Sequence, residues 1–212
     1  MNDLFKGIHP SKQGFLLKML EASSLHFSVN ELVSSKIKMN NYIAIVKTGY
    51  LNIIKTDSAG NRSLVEVLDE GDVFGTNISN LVNSDYDVIA KEESLVIFID
   101  TAYIYSNANI NSSIFSQFLI NLLEITQKKL TSNNERVDIL TNKTIRNKLL
   151  SYFKYSYMDT NARIVYVPSS FTALADYLAI DRSAMSREIK NLKDEGLIEI
   201  KNKKIKLLYF PE

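Results

Sequence analysis

The chain has 212 residues, 45% of them hydrophobic and 23% charged, a composition typical of a globular protein with one large or two small domains. It contains no cysteine, which excludes disulfides, thiolate metal sites and cysteine-held iron–sulfur clusters. No apolar run approaches the roughly eighteen residues of a membrane span. The N-terminus MNDLFKGIHP lacks a basic start followed by an apolar core, so we expect no signal peptide.

The net charge of +1 conceals an asymmetry along the chain. Residues 141–212 contain thirteen Lys and Arg against eight Asp and Glu, a balance of +5, whereas residues 1–140 have a balance of −4. A basic C-terminal part beside an acidic N-terminal part predicts that only the former binds nucleic acid.

Residues from about 24 to 100 form short apolar runs separated by turn signals. The predicted strands are 42–47, 49–56, 63–68, 86–90 and 94–99. Several short strands with close turns favour an antiparallel roll or barrel. The segment 72–78 interrupts these runs and predicts a turn with a short helix. Gly75 would let backbone N–H groups face a bound anion there, although a tight turn is the simpler interpretation.

Residues from about 111 to 136 predict a long helix whose apolar side chains cover an arc of roughly 180°. A stripe that wide can face both its own roll and a second copy of the chain. We predict a homodimer, because proteins that read the major groove usually bind paired half-sites. The predicted interface residues are Ile114, Phe118, Leu122 and Ile125. The alternative is that this face only packs against the core.

Residues 141–160 predict an amphipathic helix capped by Thr141 or Asn142, followed by a short strand at 163–168. We place the domain boundary at about residue 138. The two predicted domains are then 1–138, which includes the long helix, and 139–212.

Residues 170–198 predict two short helices with a tight joint at residues 179–181. Asp181 is a good N-cap for the second helix, because its carboxylate can accept backbone N–H bonds that the first turn leaves open. The second helix is predicted from Arg182 to about Glu195, and Gly196 ends it.

The second helix is divided sharply into a polar and an apolar face. Its apolar face is predicted to pack on the core and carries Ala184, Met185, Ile189 and Leu192. Its polar face carries Arg182, Ser183, Ser186, Arg187 and Lys190. These groups suit a major groove, because Arg can donate a fork to guanine, Ser can donate or accept, and Lys binds phosphate. The alternative is an ordinary solvated helix face, but the short first helix, the tight joint and the following hairpin favour DNA recognition.

Two alternating runs after Gly196 predict a strand pair with a lysine-rich turn near residues 201–204. Lys203 and Lys204 at this turn suit phosphate contact with counterion release. Together with Ser170 they complete the predicted DNA-binding residues. The whole C-terminal part is typical of a winged helix-turn-helix.

A sensory roll, a long helix and this C-terminal unit resemble the Crp/Fnr family of bacterial transcription regulators. The most specific piece is LADYLAIDRSAMSREIKNLKDEGLI at 174–198, and YIAIVKTGYLNIIKTDSAGN and VEVLDEGDVFG match the roll more weakly. The resemblance implies an α+β fold: an N-terminal cyclic-nucleotide-binding-like β-roll, a long dimerisation helix and a C-terminal winged helix-turn-helix. It also implies a homodimer on a near-palindromic operator in the bacterial cytoplasm. The implied partners are double-stranded DNA, RNA polymerase and an unknown small-molecule effector.

The resemblance extends to individual positions of the recognition helix. In the family an Arg opens this helix and another follows five residues on, and Arg182 and Arg187 match them. Many members place Glu after the first Arg to meet a cytosine, but Ser183 stands at that position. Ser186 matches the Ser that precedes the second Arg in the Fnr-like branch.

The effector site departs further from the family pattern. Cyclic-nucleotide binders place Glu soon after the Gly of the roll and an Arg about ten residues later for the phosphate. Here Thr76 follows Gly75, and Asp85 stands where the Arg would be. A carboxylate repels a phosphate, so we expect an effector other than cyclic AMP, and no cofactor. The candidate effector residues are Gly75, Thr76, Asn77, Asp85 and Tyr86.

Two other functions compete with DNA binding. The chain could be a small-molecule sensor whose C-terminal domain mediates protein contacts. An enzyme is disfavoured, because the sequence shows no nucleophile with a base and an orienting partner.

Overall fold

The structure is a computed structural model, and it describes residues 3–37, 41–60, 62–76, 78, 85–107, 112–166, 170–201 and 204–209. The chain separates into two compact units, Met1–Lys129 and Leu130–Glu212. A long helix runs from the first unit into the second. The predicted functional division at residue 138 lies within this helix and stays a prediction.

The first unit is rich in strands, and the second unit combines helices with a small sheet. The helices are α1 (Pro10–Met19), α2 (Thr101–Ser106), α3 (Ser113–Thr141), α4 (Ile145–Thr160), α5 (Phe171–Tyr177) and α6 (Arg182–Asp194). The strands are β1 (Ser23–Phe27), β2 (Tyr42–Thr48), β3 (Leu51–Thr56), β4 (Arg62–Leu68), β5 (Val73–Gly75), β6 (Tyr86–Ala90), β7 (Ser94–Asp100), β8 (Ile164–Tyr166), β9 (Ile198–Lys201) and β10 (Lys204–Leu207). In the part of the chain that the structure describes, no helix combines the length and apolarity needed to cross a membrane.

Two antiparallel sheets form the roll of the first unit. Their strand orders are β1-β7-β2-β5 and β4-β3-β6. The core between them includes Phe27, Leu51, Phe74, Val88 and Phe98. Aromatic edges pack against ring faces in this core, as in the Phe74–Phe98 pair with ring centroids 6.5 Å apart.

Strand β2 is buried on both faces, which explains its continuous apolar sequence. Ala44 and Val46 belong to the core between the sheets. Ile43 and Ile45 point the other way, into a second core formed with α1, α2 and the first half of α3. Successive strand residues point to opposite faces, so a strand between two cores needs apolar side chains at every position.

One predicted segment of the roll is wrong. Val73–Gly75 forms strand β5, paired with β2 in the register Ile43↔Gly75, and not part of a short helix. Three residues are too few for an alternating pattern, so the strand gives no periodic signal. The rest of the predicted 72–78 segment is a turn at Thr76 and Ile78, and residue 77 lies outside the described residues.

The second unit packs α4, α5 and α6 against the sheet β8-β10-β9. Its core includes Leu149, Phe153, Leu174 and Leu192, all fully buried. The predicted cap of α4 is wrong: Thr144 is the N-cap, and its hydroxyl accepts from the Asn147 N–H at 3.1 Å.

Candidate nucleic-acid interface and effector site

Local hydrogen bonds hold the two helices of the helix-turn-helix in place. The Ser170 Oγ caps α5 by accepting from the Ala173 N–H at 3.1 Å. Asp181 caps α6, since its Oδ1 accepts from the Ala184 N–H at 2.8 Å. The joint turns at Ala179, which adopts a left-handed φ of 50°. The predicted cap and start of the second helix are confirmed.

The structure divides α6 into the two faces that the sequence predicts. Its buried residues are Met185, Ile189 and Leu192. The five side chains of α6 that are predicted to contact DNA are all exposed: Arg182, Ser183, Ser186, Arg187 and Lys190. Two guanidinium groups, two hydroxyls and an ammonium thus stand together on one solvent-facing helix side. Their role in binding stays a prediction.

Strands β9 and β10 form the predicted wing, with the register Lys204↔Lys201. Lys204 is exposed at the start of β10. Lys203 lies outside the described residues. Ser170 is half-buried, and its hydroxyl already serves as the cap of α5, so it is less available to a phosphate than predicted.

Two basic side chains of α4 bond to the two helices of the helix-turn-helix, α5 and α6. The Arg146 Nη1 donates to the Glu195 Oε1 at 2.8 Å and to the Glu188 Oε1 at 3.2 Å, while its Nη2 donates to the second oxygen of Glu195. The hydrogen bonds from Arg146 lower the pKa of the Glu195 carboxyl below its usual value. Two residues on, the Lys148 Nζ donates to the carbonyl oxygen of Leu178 at the end of α5, at 3.2 Å.

The residues predicted to form the dimer interface lie in or against the core of the first unit. Phe118 and Ile125 are buried, and Ile114 and Leu122 pack against the same cluster. Their arc on α3 faces the sheet, so they are occupied within one chain. The large apolar residues that α3 leaves more than half exposed are Ile120, Leu123, Leu130 and Val137.

The first candidate effector residues have structural roles inside the roll. A Cβ on Gly75 would collide with the carbonyl oxygen of Tyr42, so the close approach of β2 requires glycine. Thr76 is buried, its N–H donates to the Tyr42 carbonyl at 3.1 Å, and its Oγ1 accepts from the Tyr42 N–H at 3.3 Å.

The remaining candidate effector residues lie at the start of the second sheet. Tyr86 begins β6, with the Lys55 ammonium 5.7 Å from its ring centroid, and Asp85 is exposed. Asn77 lies outside the described residues. The guanidinium of Arg62 donates to Asp87 at 3.1 Å, so this cation already has an acidic partner.

Comparison with known proteins supports both units. Residues 25–108 match the cyclic nucleotide-binding domain family. The chain is 25% identical over 175 residues to the "Probable transcriptional regulator flp" of Lacticaseibacillus casei, covering 79% of this chain and 75% of that protein. It resembles OCPA-complexed CprK with a TM-score of 0.68 at 12% identity, covering 95% and 92% of the two chains. It resembles the catabolite activator protein of Thermus thermophilus with a TM-score of 0.54 at 14% identity, covering 97% and 93%. The two structural likenesses show the fold.

Residues 25–108 thus carry a cyclic nucleotide-binding domain, and the whole chain resembles regulators of the Crp/Fnr type in fold. The predicted fold class is confirmed: an α+β chain with an N-terminal cyclic nucleotide-binding β-roll, the long helix α3 and a C-terminal winged helix-turn-helix. The relatives named above are described as a probable transcriptional regulator and a catabolite activator protein.

Sequence reasoning missed two features of this chain. The first is the ion-pair group around Arg146, because its partners lie 42 and 49 residues away and no local pattern connects them. The second is an open cleft of about 350 Å³ in the first unit. Its lining combines apolar, acidic and basic side chains: Glu70, Gly71, Asp72, Val73, Ile125, Lys128 and Lys129. Lys129 is already paired with Glu66 at 2.6 Å.

Proposed function

We propose that the protein is a homodimeric, sequence-specific DNA-binding regulator of transcription that acts in the cytoplasm. The observation that carries this proposal is the exposed face of α6. It presents Arg182, Ser183, Ser186, Arg187 and Lys190 together, while the opposite face is buried in the core.

The dimensions of α6 suit a major groove. Its thirteen residues span roughly 20 Å, and a B-DNA major groove about 12 Å wide admits an α-helix. Arg182 and Arg187 lie in the N-terminal half, the part of a recognition helix that contacts base edges in this motif. Either guanidinium can donate two bonds to a guanine.

Phosphate contacts would come from the flanks of the unit. Lys190 lies one turn beyond Ser186 on the same exposed face, and Lys204 lies on the wing. Such contacts hold the protein on the duplex but carry no sequence information directly. Binding should therefore be steeply salt-dependent.

The homodimer would use the side of α3 that faces solvent. Leu123, Leu130 and Val137 recur every seven residues, and Ile120 precedes Leu123 by three. Apolar residues at these spacings form a continuous stripe along a helix, the arrangement that pairs helices in coiled coils. The stripe replaces Phe118 and Ile125 as the proposed interface, because those side chains are buried.

The proposed effector is not cyclic AMP. Asp85 brings a negative charge to the position where the family's phosphate-binding Arg would stand, and the sequence contains no Arg between Arg62 and Arg136. Thr76 has its N–H and hydroxyl engaged by Tyr42. A ligand that is not a phosphate diester fits this lining better.

The test is selection of bound sequences from a random duplex pool, followed by gel shifts with the selected duplex. We expect a two-fold symmetric site. Arg187→Ala should cost about 1–3 kcal/mol and relax the preference at one base position per half-site. Lys204→Ala should weaken selected and scrambled duplexes alike. Identical base preferences for the wild type and Arg187→Ala would refute the role of Arg187, and enrichment of no sequence would refute the function.

A further inference from the structure

We infer that Arg146 is a positioning residue for DNA recognition: it sets the orientation of α6 by gripping two carboxylates on the flank of that helix. The inference rests on the proposed DNA-binding function. Arg146 lies on α4, outside the helix-turn-helix itself, and would touch neither base nor phosphate in this role.

The hydrogen bonds of Arg146 span the C-terminal half of α6, from Glu188 to the C-cap Glu195. Glu188 and Glu195 are seven residues apart, about two helical turns, and one guanidinium bonds to both. The contact with Glu195 is a two-point fork, which fixes direction as well as distance. Glu188 is itself held from its other oxygen, which accepts from the Asn191 Nδ2 at 3.2 Å.

Apolar packing alone constrains the rotation of α6 only loosely. The core contacts of Met185, Ile189 and Leu192 are non-directional, since the hydrophobic effect depends on the area buried. A planar guanidinium is directional, because its donors form a rigid fork. Base readout by Arg182 and Arg187 needs such accuracy, as bidentate bonds to guanine tolerate little rotation.

Charge gives Arg146 a second effect on the DNA-facing side. Glu188 directly follows Arg187 in α6. Without its partner on α4, this carboxylate would be an uncompensated negative charge on α6 that repels a nearby phosphate. Arg146 balances this charge and keeps the carboxylate directed towards α4.

Helix α4 also bonds to α5, the first helix of the helix-turn-helix. Lys148 donates to the Leu178 carbonyl at the C-terminal end of α5, where a cation also complements the helix dipole. Two cations on one helix thus hold the two helices of the reading unit, one each. Because Arg146 and Lys148 are two residues apart on α4, their bonds fix the position of α6 relative to α5.

The competing interpretation is that these pairs only add stability. The side chains of Arg146 and Glu195 are 36% and 46% exposed, and pairs this exposed contribute little to folding. Breaking the fork should therefore leave the protein folded, which allows stability and recognition to be measured separately.

The experiment is fluorescence anisotropy with the full chain on the selected duplex and on a scrambled duplex of equal length. The variants are Arg146→Gln, Arg146→Lys and the charge-reversed pair Arg146→Glu with Glu195→Arg. Glu31→Gln serves as the control, because Glu31 forms an exposed ion pair with Lys36 in the first unit. Thermal melting of each variant reports whether it is folded.

We expect Arg146→Gln to lower affinity for the selected duplex by about tenfold, a coupling of the size seen between neighbouring groups. Affinity for the scrambled duplex should fall by less than about twofold, because binding without sequence preference depends on charge and the variant removes only one positive charge. Arg146→Lys should be intermediate, because it keeps the charge but loses the fork. The charge-reversed pair should recover part of the specificity, and Glu31→Gln should behave as the wild type.

The inference would be overturned if the ratio of the two affinities is the same in Arg146→Gln as in the wild type, whether both affinities stay constant or both fall equally. If Arg146→Gln does not fold, Glu195→Gln takes its place with the same expectations. A wild type that does not distinguish the two duplexes would overturn the proposed function itself, and this result is separate from any variant's behaviour.

Discussion

At the scale of single residues, the fork between Arg146 and Glu195 has a consequence for pH. Arg146 lowers the pKa of the Glu195 carboxyl in the folded protein. A carboxyl with a depressed folded pKa contributes stability that is present above its unfolded pKa and is lost as the pH falls through its folded value. Because Glu195 is exposed, the contribution is small, and direct titration is the better measurement.

We predict that an NMR pH titration of the Glu195 side-chain carbon gives a pKa below the usual range of about 4 to 4.5 for Glu. In Arg146→Gln the pKa should return to that range, because the donor fork is gone. Glu31 should keep its own lowered pKa in both proteins, since its partner Lys36 lies in the other unit. A Glu195 that titrates alike with and without Arg146 would contradict the geometry of the fork.

Other single residues show which roles a sequence reveals. Asp181 was predictable as a cap, because a cap bonds to residues two or three positions away. Gly75 was only partly predictable. Its sequence context indicates an unusual backbone, but the cause is strand β2, which lies more than thirty residues earlier and approaches too closely for a Cβ.

At the scale of elements, α6 was predicted almost to its ends, whereas the predicted dimer residues of α3 pack in or against the core of the first unit. Helix α6 carries a cap, a narrow apolar stripe and a terminal glycine, all of them local signals. The arc of α3 is so wide that the sequence alone does not say which edge meets the sheet. The packing of Phe118 against the core of the first unit decides it.

The cap of α6 provides a test at the same scale. Asp181→Ala removes the acceptor for the Ala184 N–H, and we predict a loss of about 1 kcal/mol in the free energy of unfolding. Asp181→Ser keeps an acceptor and should stay close to the wild type. Urea unfolding of the full chain followed by circular dichroism measures both. Equal stability of the Ala and Ser variants would show that the cap bond contributes nothing.

At the scale of the whole molecule, the assembly depends on which surface of α3 remains apolar and exposed. Leu123 is 59% exposed within one chain, and its neighbours on the stripe are Ile120, Leu130 and Val137. Exposed leucines that recur at heptad spacing have a reason to be there when a second helix covers them. Single exposed apolar residues elsewhere need no such explanation.

We predict that the wild type is a dimer at micromolar concentration and that Leu123→Glu shifts it to a monomer. A carboxylate in the centre of a helix pair is buried without a partner, and that cost opposes association. Leu64→Glu is the matched control, because Leu64 is 43% exposed on β4 and not on α3, and receives the same change of charge and size. Sedimentation equilibrium measures the mass of each protein, and circular dichroism shows that Leu123→Glu remains folded. A monomeric wild type, or a Leu123→Glu protein that stays dimeric, would show that this side of α3 is not the interface.

Loss of the dimer should also weaken binding to a two-fold symmetric duplex far more than binding to one half-site, because the second recognition helix is no longer linked to the first.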